Sequence, residues 1–191
     1  MFLERQIIQD DGIKIPCAII TPSKSSGAAV IIHGYGGCKE EQLGLAWRVA
    51  EIGITSCVID LRGHGENLLN LDLGVLSDVE ATLEYCRRYG KVAAIGHSLG
   101  GRLSLLSSAD FAIGISPALN QQYSSTTQKI LKDVRSYRVR QASSEVIFDI
   151  LQTLPVWHPN RSRQTLVIFG SRDVPEIIQA CQDPFTYKYG D

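Results

Sequence analysis

The chain has 191 residues, 44% hydrophobic and 20% charged, and 19 Lys and Arg against 20 Asp and Glu leave a formal charge of −1. That length can bury a sizeable core, and that balance excludes wholesale disorder. It also lacks the basic excess of a protein that binds nucleic acid mainly through phosphates, so no nucleic-acid partner is expected.

Leu3 to Ile8 and Ile13 to Thr21 flank Asp11-Gly12 and read as a hairpin on a tight turn. Ala28 to Ile32 is a continuous apolar run, the pattern of a strand buried on both faces. A helix is expected from Glu40 to Ile52, stopped by Gly53, and Ile54 to Ile59 is a second buried strand. Leu73, Leu76, Val79, Leu83 and Cys86 recur every three or four residues and predict a helix that ends near Gly90. A strand at Lys91 to Ile95, a helix at Gly100 to Ser108 and a strand at Phe111 to Ile115 follow. Residues 118 to 163 break this rhythm, with helical patterns only at Thr127 to Val134 and Ser144 to Leu151. It resumes as a strand at Thr165 to Phe169, a short helix at Val174 to Cys181 and a last strand at Phe185 to Tyr189. Strands alternating with helices require right-handed crossovers, so the fold class is α/β, with a mostly parallel sheet covered on both faces. No repeat or linker interrupts it. The expectation is one domain, 1–191, with 120–163 as a small insertion.

No segment approaches 18 consecutive apolar residues, and Met1 to Asp10 holds no apolar run, so neither a membrane span nor a signal peptide is expected. The five cysteines (Cys17, Cys38, Cys57, Cys86 and Cys181) are odd in number and lack a CxxC pair. Reduced thiols in a cytoplasmic protein fit that usage better than a disulfide framework.

In sheets of this class, ligands sit beyond the carboxyl ends of the strands. Gly96-His97-Ser98-Leu99-Gly100-Gly101 stands at one such end, between a strand and a helix, and fits G-x-S-x-G. The spacing has a steric cause. A serine on a very tight strand-to-helix turn leaves no room for side chains on either flank. Its hydroxyl then projects above the sheet beside the first amide of the helix. Ser98 is therefore the candidate nucleophile. The second glycine-rich junction is His33-Gly34-Tyr35-Gly36-Gly37, after the Ala28–Ile32 strand. A dinucleotide fingerprint is the rival reading there, but the sixth position is Lys39 and the third glycine is missing.

With these two junctions the sequence resembles the α/β-hydrolase superfamily, in which an HGxGG-like loop lends a backbone N–H to an oxyanion hole. The resemblance implies that the amides of Tyr35 and Leu99 are the two donors. Asp60-Leu61-Arg62-Gly63-His64-Gly65 looks like the DxRGxG turn of these enzymes, and Phe169-Gly170-Ser171-Arg172-Asp173 looks like the segment that presents the triad acid. Ser98 before Asp173 agrees with the family order of nucleophile, acid, histidine. What the resemblance implies is a carboxylesterase-like serine hydrolase. It would cleave a small or medium ester, thioester or short peptide through an acyl-enzyme on Ser98, with a small-molecule acyl substrate and no metal or organic cofactor.

The histidine is the gap in this pattern. The chain has four, His33, His64, His97 and His158, and all precede Asp173. The family places its base in the loop after the last strand, and Tyr189-Gly190-Asp191 reads like the start of that loop. The leading expectation is that the natural chain continues with the histidine and a covering helix. Until then the strand at Phe185 to Tyr189 would be an open edge, inviting self-association. The alternatives are a catalytically inactive binding or scaffold relative, and recruitment of His158. Asp60 and His64 are read as turn-holding residues, His97 as packing away from the substrate, and Asp149 as a solvated helix position. Cys38, just past the glycine loop, is read as an inert thiol near the pocket.

Overall fold

The computed structural model describes residues 1–159 and 162–182. Its centre is a seven-stranded sheet in the order β1-β2-β4-β3-β5-β6-β7. β1 (Phe2–Asp10) and β2 (Ile13–Thr21) form the expected hairpin. Asp11 at φ 44° and Gly12 at φ 83° supply the turn whose twist matches that of the strands. β2 lies antiparallel to β4 (Thr55–Ile59). From there the sheet is parallel, through β3 (Ala28–Ile32), β5 (Val92–His97), β6 (Phe111–Ile115) and β7 (Gln164–Ile168). β3 and β4 are buried along their whole length, as their unbroken apolar runs require. Alternate residues feed different cores. Val30 and Ile32 pack with α2 (Val75–Cys86) and α3 (Leu99–Leu106), whereas Ala29 and Ile31 pack with α1 (Leu43–Glu51).

Element ends are built differently from a plain reading of the periodicity. The helix expected from Glu40 opens as a 3-10 turn, Lys39–Gln42, and becomes α-helical only at Leu43. β5 runs on to His97 and α3 starts at Leu99, because the whole change of direction is made at Ser98. The helix expected to end near Gly90 does so through a final 3-10 turn, Arg87–Tyr89. Between β6 and β7 the two helical patterns appear as α4 (Ser125–Arg135) and α5 (Val146–Thr153), and α6 (Pro175–Cys181) follows β7. The strand expected at Phe185 to Tyr189, and the self-association expected through it, lie outside the described residues. Among the described residues, no helix is long and apolar enough to cross a membrane.

One buried cation ties the β6–β7 insertion to the sheet. Arg102 of α3 is fully buried. Its Nη1 donates to the carbonyls of Ala118 (3.2 Å) and Asn120 (3.0 Å), and its Nη2 to those of Leu154 (2.8 Å) and Pro155 (3.2 Å). These acceptors stand at the two ends of the insertion, so a single guanidinium fixes where it leaves the sheet and where it returns. No described carboxylate pairs with Arg102, and among the described residues four carbonyl dipoles accept from its guanidinium. Each buried acceptor left without a donor costs about 1–3 kcal/mol. Arg102→Met, which keeps the stem but strands four carbonyls, should therefore lower unfolding stability by about 3 kcal/mol or more in urea titration. A loss under about 1 kcal/mol would contradict this reading of the clamp.

Candidate active site

β5 and α3 are joined by a single residue, Ser98, at φ 53° and ψ −115°, a sparsely populated conformation for an L-residue. Its backbone is held on both sides. The Ser98 N–H donates to Ile115 O at 2.9 Å, and its carbonyl accepts from the amides of Arg102 (3.0 Å) and Ala118 (3.1 Å). The flanking glycines are steric necessities. A Cβ on Gly96 would stand 2.1 Å from the Gly100 carbonyl oxygen, and one on Gly100 would stand 2.4 Å from that of Ile32. The turn places Ser98 at the edge of a cavity of about 180 Å³ beyond the carboxyl ends of the strands. Tyr123, Ile130 and Leu131, Ile147 and Leu151 of α5, and Val174 and Ile177 make its walls largely apolar.

The glycine loop after β3 lies against this turn, since a Cβ on Gly34 would be 3.2 Å from that of Ser98. Gly37 N–H closes the loop onto Gly34 O at 2.9 Å, and Gly36 N–H donates to Nε2 of His64 at 3.0 Å. Among the described residues, no hydrogen bond engages the amide of Tyr35. Leu99, as the first residue of α3, also has an amide without an intrahelical acceptor. Both Tyr35 and Leu99 line the cavity together with Ser98.

Asp173 borders the same cavity, in the loop between β7 and α6. Its Oδ2 accepts from the hydroxyl of Ser116 at 2.7 Å and from Gly170 N–H at 2.8 Å. Oδ1 has no hydrogen-bond partner among the described residues, so one carboxylate oxygen is anchored and the other is available. Ser116 did not stand out in the sequence. It is the first residue after β6, at φ 44°, and its position at a strand's carboxyl end was the one signal available.

The histidines separate into distinct roles. His33 and His64 are fully buried, with ring centroids 4.8 Å apart. His33 Nδ1 lies 2.8 Å from Gly34 O, and its Nε2 accepts from Leu61 N–H at 3.2 Å. His64 Nδ1 lies 2.9 Å from Arg62 O, and its Nε2 accepts from Gly36 N–H. Each ring is therefore neutral, donating from Nδ1. Together they brace the glycine loop against the turn after β4. His158 lines a separate hollow with Leu105, Trp157 and Arg163, so it does not meet Ser98. His97, expected to pack away from the substrate, instead lines the cavity. It is the last residue of β5 and is exposed.

The remaining expected residues are structural or peripheral. Asp60 is fully buried, and accepts from Lys39 N–H (2.8 Å), Lys39 Nζ (2.7 Å) and Glu66 N–H (3.0 Å). It thus holds the turn after β4 as expected. Cys38 is half-buried beside the loop, does not line the cavity, and has its thiol pKa raised by burial. Asp149 is exposed on α5.

A sequence profile described as the alpha/beta hydrolase family matches residues 29–182, which include every element of this site. The chain belongs to that family. Among solved structures, this α/β hydrolase is similar to Est1E of Butyrivibrio proteoclasticus with ferulic acid bound. The two share 21% identity over 85% of this chain and 77% of that one, with a TM-score of 0.68. An esterase of Pyrobaculum calidifontis is similar at 19% identity, covering 87% of this chain and 65% of that chain, with a TM-score of 0.63. A probable hydrolytic enzyme of Pseudomonas aeruginosa, at 16% identity and a TM-score of 0.67, covers 99% of this chain and 87% of its own. At these identities the likeness is one of fold. A search of curated proteins found no significant match.

The buried histidines give this hydrolase a pH signature. Burial lowers the pKa of His33 to about 4 and that of His64 to about 3. An unfolded imidazole titrates near 6.5. Above that value the rings are neutral in both states and the stability is fully present. As pH falls below it, the unfolded chain gains protons that the folded protein refuses. Stability then drops by about 1.4 kcal/mol per pH unit for each histidine. Urea titrations at pH 7 and pH 5 should show this loss, and His64→Gln should reduce it by about half. Equal stability at the two pH values would refute the neutral, buried assignment.

Proposed function

We propose that this α/β hydrolase is a carboxylesterase-like serine hydrolase of the cytoplasm, acting on a small or medium ester, thioester or short peptide through an acyl-enzyme on Ser98. The observation that carries the reading is the strained placement of Ser98 beside two unengaged amides and one available carboxylate oxygen, all bordering one cavity. Strain at a turn is kept where the surrounding structure holds it and the exposed side chain has a use. The five free cysteines fit a reducing compartment.

In this mechanism Ser98 Oγ bonds to the carbonyl carbon as its proton passes to an imidazole. The carbonyl electrons move onto oxygen, which the amides of Tyr35 and Leu99 receive, and one such donor is typically worth about 3 kcal/mol. The bond to the leaving group then breaks as the imidazole returns the proton to it. Water repeats the sequence on the acyl-enzyme and regenerates Ser98. Asp173 Oδ1 would hold the imidazole's other nitrogen and fix its tautomer. The family resemblance implies a histidine after Asp173 in that role. His33 and His64 have both ring nitrogens engaged, and His158 stands elsewhere. The β6–β7 insertion acts as the lid, covering the cavity with α4 and α5.

Hydrolysis of 4-nitrophenyl butyrate by the full natural chain tests the proposal. Ser98→Ala should reduce turnover by a factor on the order of 10⁴ to 10⁶, and Asp173→Asn by about 10⁴. An inert wild-type chain would favour the competing reading of a binding protein that keeps the fold without catalysis, and turnover that survives Ser98→Ala would overturn the acyl-enzyme on Ser98.

A further inference from the structure

Two hollows meet at Ser98. The first is the apolar cavity that Asp173 borders. The second, about 190 Å³, opens between the glycine loop, Glu41 and Gln42 on one side and Arg135 at the end of α4 on the other. Tyr35, His97, Ser98 and Leu131 line both, whereas Asp173 borders only the first. A substrate attacked by Ser98 can therefore extend in two chemically different directions.

The second hollow is lined by one cation, Arg135, whose side chain is exposed, and by one carboxylate. Its carboxylate, Glu41, is already paired with Arg138. Lys39, just beyond, is paired with Asp60, Glu66 and Glu40. Arg135 has no ion-pair partner among the described residues. Its stem is laid along the glycine loop. Gly36 has φ 72°, and a Cβ there would meet the Arg135 Cβ at 2.9 Å and Cδ at 3.1 Å. The guanidinium is thus carried on an element packed against the loop that contains Tyr35. Its charge reaches the centre of the site: burial lowers the pKa of His97, Asp173 opposes that shift, and Arg135 adds a smaller lowering.

Reaction geometry decides which half of the substrate this charge meets. The proton donor to the leaving group must be held by Asp173, so the leaving group lies toward the apolar cavity. Whatever occupies the second hollow stays attached to Ser98 as the acyl group. We propose that the second hollow receives a carboxylate borne by the acyl chain, and that Arg135 is the residue that selects it. The preferred substrates are then half esters or thioesters of short dicarboxylic acids with an apolar leaving group. A guanidinium suits that role because it can meet a carboxylate with two parallel hydrogen bonds. This inference rests on the serine-hydrolase reading above.

Benzyl hydrogen glutarate and benzyl valerate share a leaving group and a five-carbon acyl chain, and differ only in the terminal carboxylate. The full natural chain should hydrolyse the glutarate with at least a ten-fold higher kcat/KM, mainly through a lower KM. Arg135→Gln should erase that ratio and Arg135→Glu should reverse it, with thermal melting confirming that each variant is folded. Equal rates for both esters, or a preference unchanged by Arg135→Gln, would overturn the proposal. Calorimetric binding of free glutarate and valerate to Ser98→Ala tests the subsite without turnover. Tighter glutarate binding that is lost with Arg135→Gln supports it, and equal binding of the two acids refutes it. If that binding is found while the unsubstituted chain cleaves neither ester, the serine-hydrolase reading fails and the anion subsite stands.

Discussion

The site depends on one steric constraint, the close approach of α3 to the carboxyl ends of β3 and β5. Where the helix axis meets the sheet, the gap admits hydrogen atoms and no side chains. Gly96 and Gly100 satisfy that condition, and Ser98 takes up the remaining bend with a positive φ. A relaxed backbone at this point would need the helix to start further from the sheet. The amide of Leu99 would then no longer stand beside the glycine loop. The strain, of order 1–3 kcal/mol at such a residue, is offset by the long strand ladders and the buried helix on either side.

Around that turn the protein uses buried polar groups as struts. His64 carries a hydrogen bond from Gly36, His33 one from Leu61, and Asp60 collects Lys39 and Glu66. Arg62 forks onto Asp78 of α2, through Nε at 3.2 Å and Nη2 at 2.8 Å. The effect is to lock the loop after β3 to the loop after β4, alongside the ring contacts of His64 with His33 and Tyr35. Such groups are stable in the interior only when satisfied, so the same bonds that position the loop make it intolerant of substitution. On the far side of the cavity, Ser116 does for Asp173 what His64 does for Gly36. Arg102 then ties both ends of the β6–β7 insertion to the helix that begins at Ser98. The Ser98 turn, the glycine loop and the insertion are thereby held in one frame.

The α/β order was legible in the sequence because strands buried on both faces leave unbroken apolar runs, as at Ala28–Ile32. Ser98 was legible for a related reason, since close packing at the elbow imposes glycines at fixed spacing. The neighbourhood of Asp173 was less so. A buried hydroxyl such as that of Ser116 has no periodic signature, and its role exists only because β6 and β7 end side by side. His97 was misjudged because alternation along a strand does not say whether its last residue borders a cavity. Arg102 was missed altogether. An arginine in a short helix reads as solvent-facing, and its four acceptors come from segments up to 53 residues away.

The central claim is that Ser98 and the amides of Tyr35 and Leu99 converge on one reacting carbon. The most direct test is the crystal structure of the full natural chain after treatment with an alkyl fluorophosphonate, whose phosphorus adopts the tetrahedral geometry of the attacked carbonyl. Phosphorus bonded to Ser98 Oγ, with its free oxygen about 2.7–3.1 Å from both amide nitrogens, is the result this account predicts. An unmodified Ser98, or an adduct whose oxygen points away from Tyr35 and Leu99, would contradict it.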